Sequence, residues 1–175
     1  MENKKVNVLI TEEEIQKRVV ELGAQISKEF QGKNLYVLSL LRGSFIFAAD
    51  LVRHITIPTK IGFMTTSSYG HAEESTGTVK VVNDIPDNIE GYDVLVVDDI
   101  VDTGITMEYV MKHVMSLGAS SVSSAVLLDK PERRKVDLKP DYCCFEIPDV
   151  FVVGYGLNYG DYYRNVPYVF NWEEK

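Results

Sequence analysis

Val94-Leu95-Val96-Val97 runs directly into Asp98-Asp99-Ile100-Val101-Asp102-Thr103-Gly104-Ile105-Thr106. Four consecutive apolar residues without alternation predict a strand buried on both faces, the condition met in a parallel sheet covered by helices. That feature commits the chain to an α/β architecture. Met107, Val110, Met111 and Val114 then recur at helical spacing as far as Gly118, the expected C-terminal cap. Asp98 and Asp99 are thus expected where the strand ends, at the edge where open α/β sheets bind ligands. Asp102, Thr103, Gly104 and Thr106 offer hydroxyls and free N–H groups at the start of a helix, a seat for a phosphate. Taken alone, an acid pair after a buried strand is also an ordinary strand end and helix cap. Carboxylates to grip hydroxyls, beside amides to grip an anion, point to a sugar phosphate.

The rest of the chain repeats the strand–helix rhythm. Thr11-Glu12-Glu13-Glu14 reads as a capping box, with Ile15, Val19, Leu22, Ile26 and Phe30 at helical spacing up to Gly32. Leu35 to Leu41 is a second buried-strand run, and Ser44 to His54 reads as an apolar helix. Further strands are expected over residues 60–66, 78–83, 122–128, 142–147 and 150–153. This alternation predicts a mostly parallel central sheet with helices on both faces. With 175 residues, no repeat and no linker, residues 1–175 read as a single domain able to bury its own core.

Composition excludes several classes. The two cysteines, Cys143 and Cys144, are adjacent, so on a strand they face opposite ways; buried thiols in a reducing cytoplasm are expected rather than a disulfide framework. No apolar run is long enough to cross a bilayer, so no membrane partner is expected. A net charge of −8 argues against nucleic acid, which is held through basic surface. His54, His71 and His113 have no metal-ligand spacing and are assigned no role.

The full pattern, four apolar residues, Asp-Asp, two apolar residues and Asp-Thr-Gly-x-Thr, resembles a signature of type I phosphoribosyltransferases. That signature binds 5-phosphoribosyl-1-pyrophosphate (PRPP), and the match extends to the hypoxanthine-guanine phosphoribosyltransferase family of bacterial type. The resemblance implies a small hood over the sheet's carboxyl edge, formed by about residues 1–10 and 129–175. It implies purine salvage: the phosphoribosyl group passes from PRPP to hypoxanthine or guanine, giving IMP or GMP and pyrophosphate. By the same resemblance Asp98 and Asp99 hold ribose hydroxyls and Mg²⁺, and Asp102 accepts the proton at purine nitrogen seven. Thr103, Gly104, Ile105 and Thr106 hold the 5-phosphate, Ile105 through its N–H alone. Leu41, Arg42 and Gly43 match a pyrophosphate loop in which a cis Leu41–Arg42 peptide is expected, and Arg164 matches an Arg near pyrophosphate. Ser68 and Tyr69 match lid contacts that exclude water. Lys130 matches the donor to the oxygen on purine carbon six, and Phe151 and Val152 match the purine-binding segment, Phe151 by stacking. A homodimer or homotetramer is implied as well.

Residue chemistry can be weighed beside that match. Arg42 suits pyrophosphate oxygens and Gly43 allows close backbone approach. Read in isolation, Lys130 and Arg42 fit solvated surface charges better than ligand contacts, and Arg164 fits either equally. PRPP is strongly anionic and a chain of charge −8 repels it at long range, so a cation must reverse the sign inside the pocket. One departure stands out. Where the family commonly has Asp in Gly-Leu-Asp-Tyr, this chain has Asn158, which can ligate Mg²⁺ without a full charge. Two other functions fit the same fold: a nucleotide-sensing regulator of gene expression, and a transferase preferring xanthine. The first needs a basic nucleic-acid face or an added DNA-binding domain, and neither is visible.

Overall fold

The computed structural model describes residues 7–68 and 79–172. In chain order its elements are β1 (Asn7–Ile10), α1 (Glu12–Glu29), β2 (Leu35–Leu41), α2 (Phe45–Arg53), β3 (Thr59–Ser68), β4 (Val79–Asn83), β5 (Asp93–Val101), α3 (Ile105–Ser116), β6 (Ser121–Asp129), a 3-10 turn (Pro131–Arg133), β7 (Tyr142–Glu146), β8 (Val152–Val153) and β9 (Val169–Asn171). The main sheet has the order β4-β3-β2-β5-β6-β7. Its neighbours are parallel except for β4, which runs antiparallel to β3.

The absence of alternation in the apolar runs has the expected cause. Leu35, Val37, Leu95, Val97, Ala125 and Leu127 pack in one core with α1 and α2. Leu38, Leu40, Val94, Val96 and Val126 pack in the other with Met107, Val110 and Val114 of α3. Each central strand is therefore apolar at successive positions because both faces are covered. The adjacent cysteines divide as predicted, Cys144 into the first core and Cys143 against the second. The capping box is present: Glu14 N–H donates to Thr11 Oγ1 at 3.2 Å, and Thr11 N–H donates to Glu14 Oε2 at 2.8 Å. The buried face of α1, Ile15, Val19, Leu22 and Ile26, is the stripe read from its spacing.

Three expectations need correction. First, β5 does not end at the acid pair, because Asp98 pairs with Val126, Ile100 with Leu128 and Val101 with Asp129. The ladder with β6 keeps Asp98 and Asp99 on the sheet itself. Second, pairing with β4 extends β3 through Ser67 and Ser68, so these serines belong to a strand and not to a loop. Tyr69, the other lid residue, lies outside the described residues. Third, residues 142–146 form the edge strand of the main sheet instead of part of the hood. The termini form a three-stranded antiparallel sheet of order β1-β9-β8, whose strands β1 and β9 are too short to show any period in the sequence.

This topology fixes where a ligand can sit. The connection from β2 leads outward to β3, and the one from β5 leads outward the other way to β6. Strand order therefore reverses between β2 and β5, and the segments leaving their carboxyl ends, Arg42-Gly43 and Asp102-Thr103-Gly104, flank the crevice where open α/β sheets bind ligands.

Candidate active site

A cavity of about 280 Å³ occupies that crevice, lined by Thr66, the run from Asp98 to Gly104, Thr106 and Met107. It brings together Asp98, Asp99, Asp102, Thr103, Gly104 and Thr106 as the sequence predicts, with Ile105 opening α3 beside them. Thr66 is an addition. It arrives from β3 through strand pairing, and nothing in its local sequence marks it. Two larger hollows, of about 570 and 680 Å³, lie beside the end of α1 and contain none of these residues. Chemistry, not size, distinguishes the crevice.

The acid pair is held by its own backbone. Asp99 N–H donates to Asp98 Oδ1 at 2.9 Å, and Ile100 N–H donates to Asp99 Oδ1 at 2.8 Å. Burial pushes the Asp98 carboxyl well above the usual carboxylate range, and the neighbouring Asp99 charge adds to it. Burial raises Asp99 too, while its hydrogen bond with Asp98, the Ile100 amide and the Arg164 guanidinium pull it partly back. Two adjacent acids with too little compensating charge form a donor set suited to a cation or to hydroxyl donors. Among the described residues, no group of three or more His, Cys, Asp or Glu is arranged to hold a metal. A cation here would complete its shell with ligand oxygens and water, the usual habit of Mg²⁺.

Beside the acids lies the loop after β2, whose Leu41–Arg42 peptide is cis. A Cβ placed on Gly43 would stand 1.9 Å from Asp99 Oδ2, and one on Gly156 would stand 2.2 Å from the Gly43 carbonyl oxygen. Acid, loop and hood are thus stacked at backbone contact, an approach that only glycine permits. Arg164 fastens this stack: its Nη1 donates to the Gly156 carbonyl at 2.5 Å. The Arg42 side chain is exposed.

On the other side, α3 starts at Ile105 behind Gly104, which has φ +83° and supplies no side-chain cap. Ile105 N–H makes a long 3.4 Å bond to Thr103 Oγ1, and with no side chain at the N-cap the first turn and the positive end of the helix dipole face the crevice, the arrangement that holds anions. The loop is backed by residues 134–136, where Lys135 N–H donates to the Thr103 carbonyl at 2.9 Å.

The remaining predicted residues lie on the rim. Lys130, read in isolation as a solvated charge, is only 6% exposed; its N–H donates to the Val101 carbonyl at 2.9 Å, and its Nζ stands 3.8 Å from Asp149 Oδ1. Asp102 Oδ1 is buried and accepts no hydrogen bond, although Arg133 Nε stands 2.8 Å away, badly aligned for donation. Arg133 and Asp149 escape sequence reading because single charges carry no period. Phe151 is 53% exposed, with its ring edge-on to Tyr159 at 6.0 Å, and Tyr159 stacks on Trp172 at 4.3 Å. Val152 has its side chain in the core, leaving only backbone for a ligand. Asn158 donates its amide N–H to the Gly160 carbonyl. Ser68 is placed only as the backbone end of β3.

A doubly covered α/β sheet with paired acids and an uncapped helix start at its switch point defines a class, the enzymes that hold a phosphorylated ligand at the carboxyl edge of the sheet. The chain belongs to the phosphoribosyltransferase family: the family model described as phosphoribosyl transferase domain matches residues 9–160. The hypoxanthine-guanine phosphoribosyltransferase of Bacillus subtilis (strain 168) is 46% identical over 162 residues, covering 93% of this chain and 90% of the relative. The hypoxanthine phosphoribosyltransferase of Haemophilus influenzae is 46% identical over 172 residues, covering 97% and 96%. A crystal structure of a hypoxanthine phosphoribosyltransferase from Staphylococcus aureus superposes with a TM-score of 0.92 at 44% identity, covering 95% of this chain and 91% of that one.

Proposed function

We propose that this chain is a purine-salvage transferase that moves the phosphoribosyl group of PRPP to hypoxanthine or guanine, forming IMP or GMP and releasing pyrophosphate. The observation that carries the reading is the meeting, in one crevice, of the Asp98–Asp99 pair with the uncapped start of α3. In it the acids grip the ribose hydroxyls, and the N–H groups of Thr103, Gly104, Ile105 and Thr106, with the two threonine hydroxyls, grip the 5-phosphate. Arg42 and the Leu41–Gly43 backbone face the pyrophosphate, with Arg164 supporting them through Gly156. Asp98 and Asp99 are the residues to hold Mg²⁺, with the Asn158 amide oxygen as a weaker, uncharged addition. When bound there, such a cation would supply positive charge to offset that of pyrophosphate.

Asp102 accepts the proton from purine nitrogen seven, which makes the base more nucleophilic toward the positively charged anomeric carbon. Its Oδ1 pairs with Arg133 at 2.8 Å, and the side chain is 39% exposed, so Oδ2 is the oxygen open to accept the proton. Lys130 donates to the oxygen on carbon six, where adenine offers an amino group and no acceptor. Phe151 stacks on the base, with Val152 beside it contributing backbone. A homodimer or homotetramer in the cytoplasm is part of the same reading.

The test is to incubate the protein with PRPP, Mg²⁺ and each base in turn. Nucleotide is expected from hypoxanthine or guanine and not from adenine; no product from any base overturns the proposal. Asp102→Asn should lower turnover about 10²–10⁴-fold, the range for a lost general base, and unchanged turnover would remove that role.

A further inference from the structure

We infer that Asp149 is a positioning residue for purine recognition: it holds Lys130 and Arg133 in a line of alternating charge along the wall of the base site. The inference rests on the function proposed above and adds a residue that reading leaves unassigned. Asp149 Oδ1 lies 3.8 Å from Lys130 Nζ and 3.5 Å from Arg133 Nη1, and Arg133 Nε lies 2.8 Å from Asp102 Oδ1. The sequence of charges is therefore Lys130, Asp149, Arg133, Asp102.

Two features of this line point to a recognition role. The Lys130 side chain is 8% exposed, and a buried ammonium is tolerated only beside a countercharge. At 3.8 Å, Asp149 supplies that charge without taking a hydrogen bond, so the ammonium's donors remain for a ligand. Arg133 carries the line on to Asp102, whose Oδ1 is buried against the guanidinium. The Lys130 ammonium is thus charge-balanced with its hydrogen-bonding capacity unspent. A 6-oxopurine offers its carbonyl oxygen to Lys130 and a ring N–H to the outer oxygen of Asp102. A site arranged in advance in this way loses less freedom when its ligand binds. Without the Asp149 carboxylate, the Lys130 ammonium has reason to leave the wall for solvent.

The experiment compares steady-state kinetics of the native protein, Asp149→Asn, Asp149→Glu, Lys130→Met and the Asp149→Asn/Lys130→Met double variant. Asp149→Asn should raise KM for hypoxanthine about tenfold, the size of one weakened hydrogen bond to a charged group, with KM for PRPP within about twofold of native. Asp149→Glu should recover most of the loss. In the Lys130→Met background, Asp149→Asn should add little, because its effect passes through the lysine. An unchanged hypoxanthine KM in Asp149→Asn overturns the inference. So does an equal rise in both KM values with a lowered melting temperature, the mark of a merely structural role. If the native protein itself makes no nucleotide, the proposed function fails instead.

Discussion

At the scale of residues, the account turns on what burial does to Asp98 and Asp99. Both carboxyls are raised, so from about pH 4, the ordinary carboxylate value, up to the raised values the folded chain holds protons that the unfolded chain has released. Across that window stability falls as pH rises, and at neutral pH the ligand-free pair weakens the fold. Asp98→Asn removes one charge and keeps an Oδ1 to accept the Asp99 N–H. Its melting temperature at pH 7.5 should exceed native by about 2–5 °C, the gain shrinking toward pH 4, while transfer activity falls. Thermal melts at the two pH values check this; a melting temperature at or below native at pH 7.5 contradicts it. A fold that tolerates such a pair is holding it for a ligand.

At the scale of elements, the loop between β5 and α3 is shaped by what lies behind it. Gly104 has φ +83°, and a Cβ there would stand 2.8 Å from Val136 Cγ2 and 2.9 Å from Arg134 Cδ. Gly104→Ala should cost about 1–2 kcal/mol for the left-handed backbone alone, more with the clash, and should raise KM for PRPP as the amides shift. Chemical denaturation and kinetics together test this, and a native-like result in both would contradict the picture of a backed cradle. The same elements show what sequence can and cannot reveal. Leu35–Leu41 was readable to the residue because an apolar run interrupted only by Ser39 meets polar neighbours at both ends. The start of α1 was equally plain from its reciprocal cap. By contrast, the extensions of β3 and β5 depend on partners far along the chain, and the β1-β9-β8 sheet joins the two ends. Thr66 reaches the site through such non-local placement, whereas Arg133 and Asp149 lie within three residues of Lys130 and Phe151 and go unmarked because a single charge has no period.

At the scale of the whole molecule, a chain of net charge −8 is assigned a strongly anionic substrate. Long-range attraction cannot gather that substrate, so affinity must come from the crevice and an accompanying cation. None of the described helices is long and apolar enough to cross a membrane. The architecture accounts for the location: two apolar cores clamp the sheet, and its switch point sets the acid pair and the α3 start around one cavity, with Gly43 of the β2 loop packed against Asp99. The most direct test is calorimetric titration of the protein with PRPP, with and without Mg²⁺. The account predicts saturable heat with Mg²⁺ and much weaker binding without it; no heat in the presence of Mg²⁺ would contradict it.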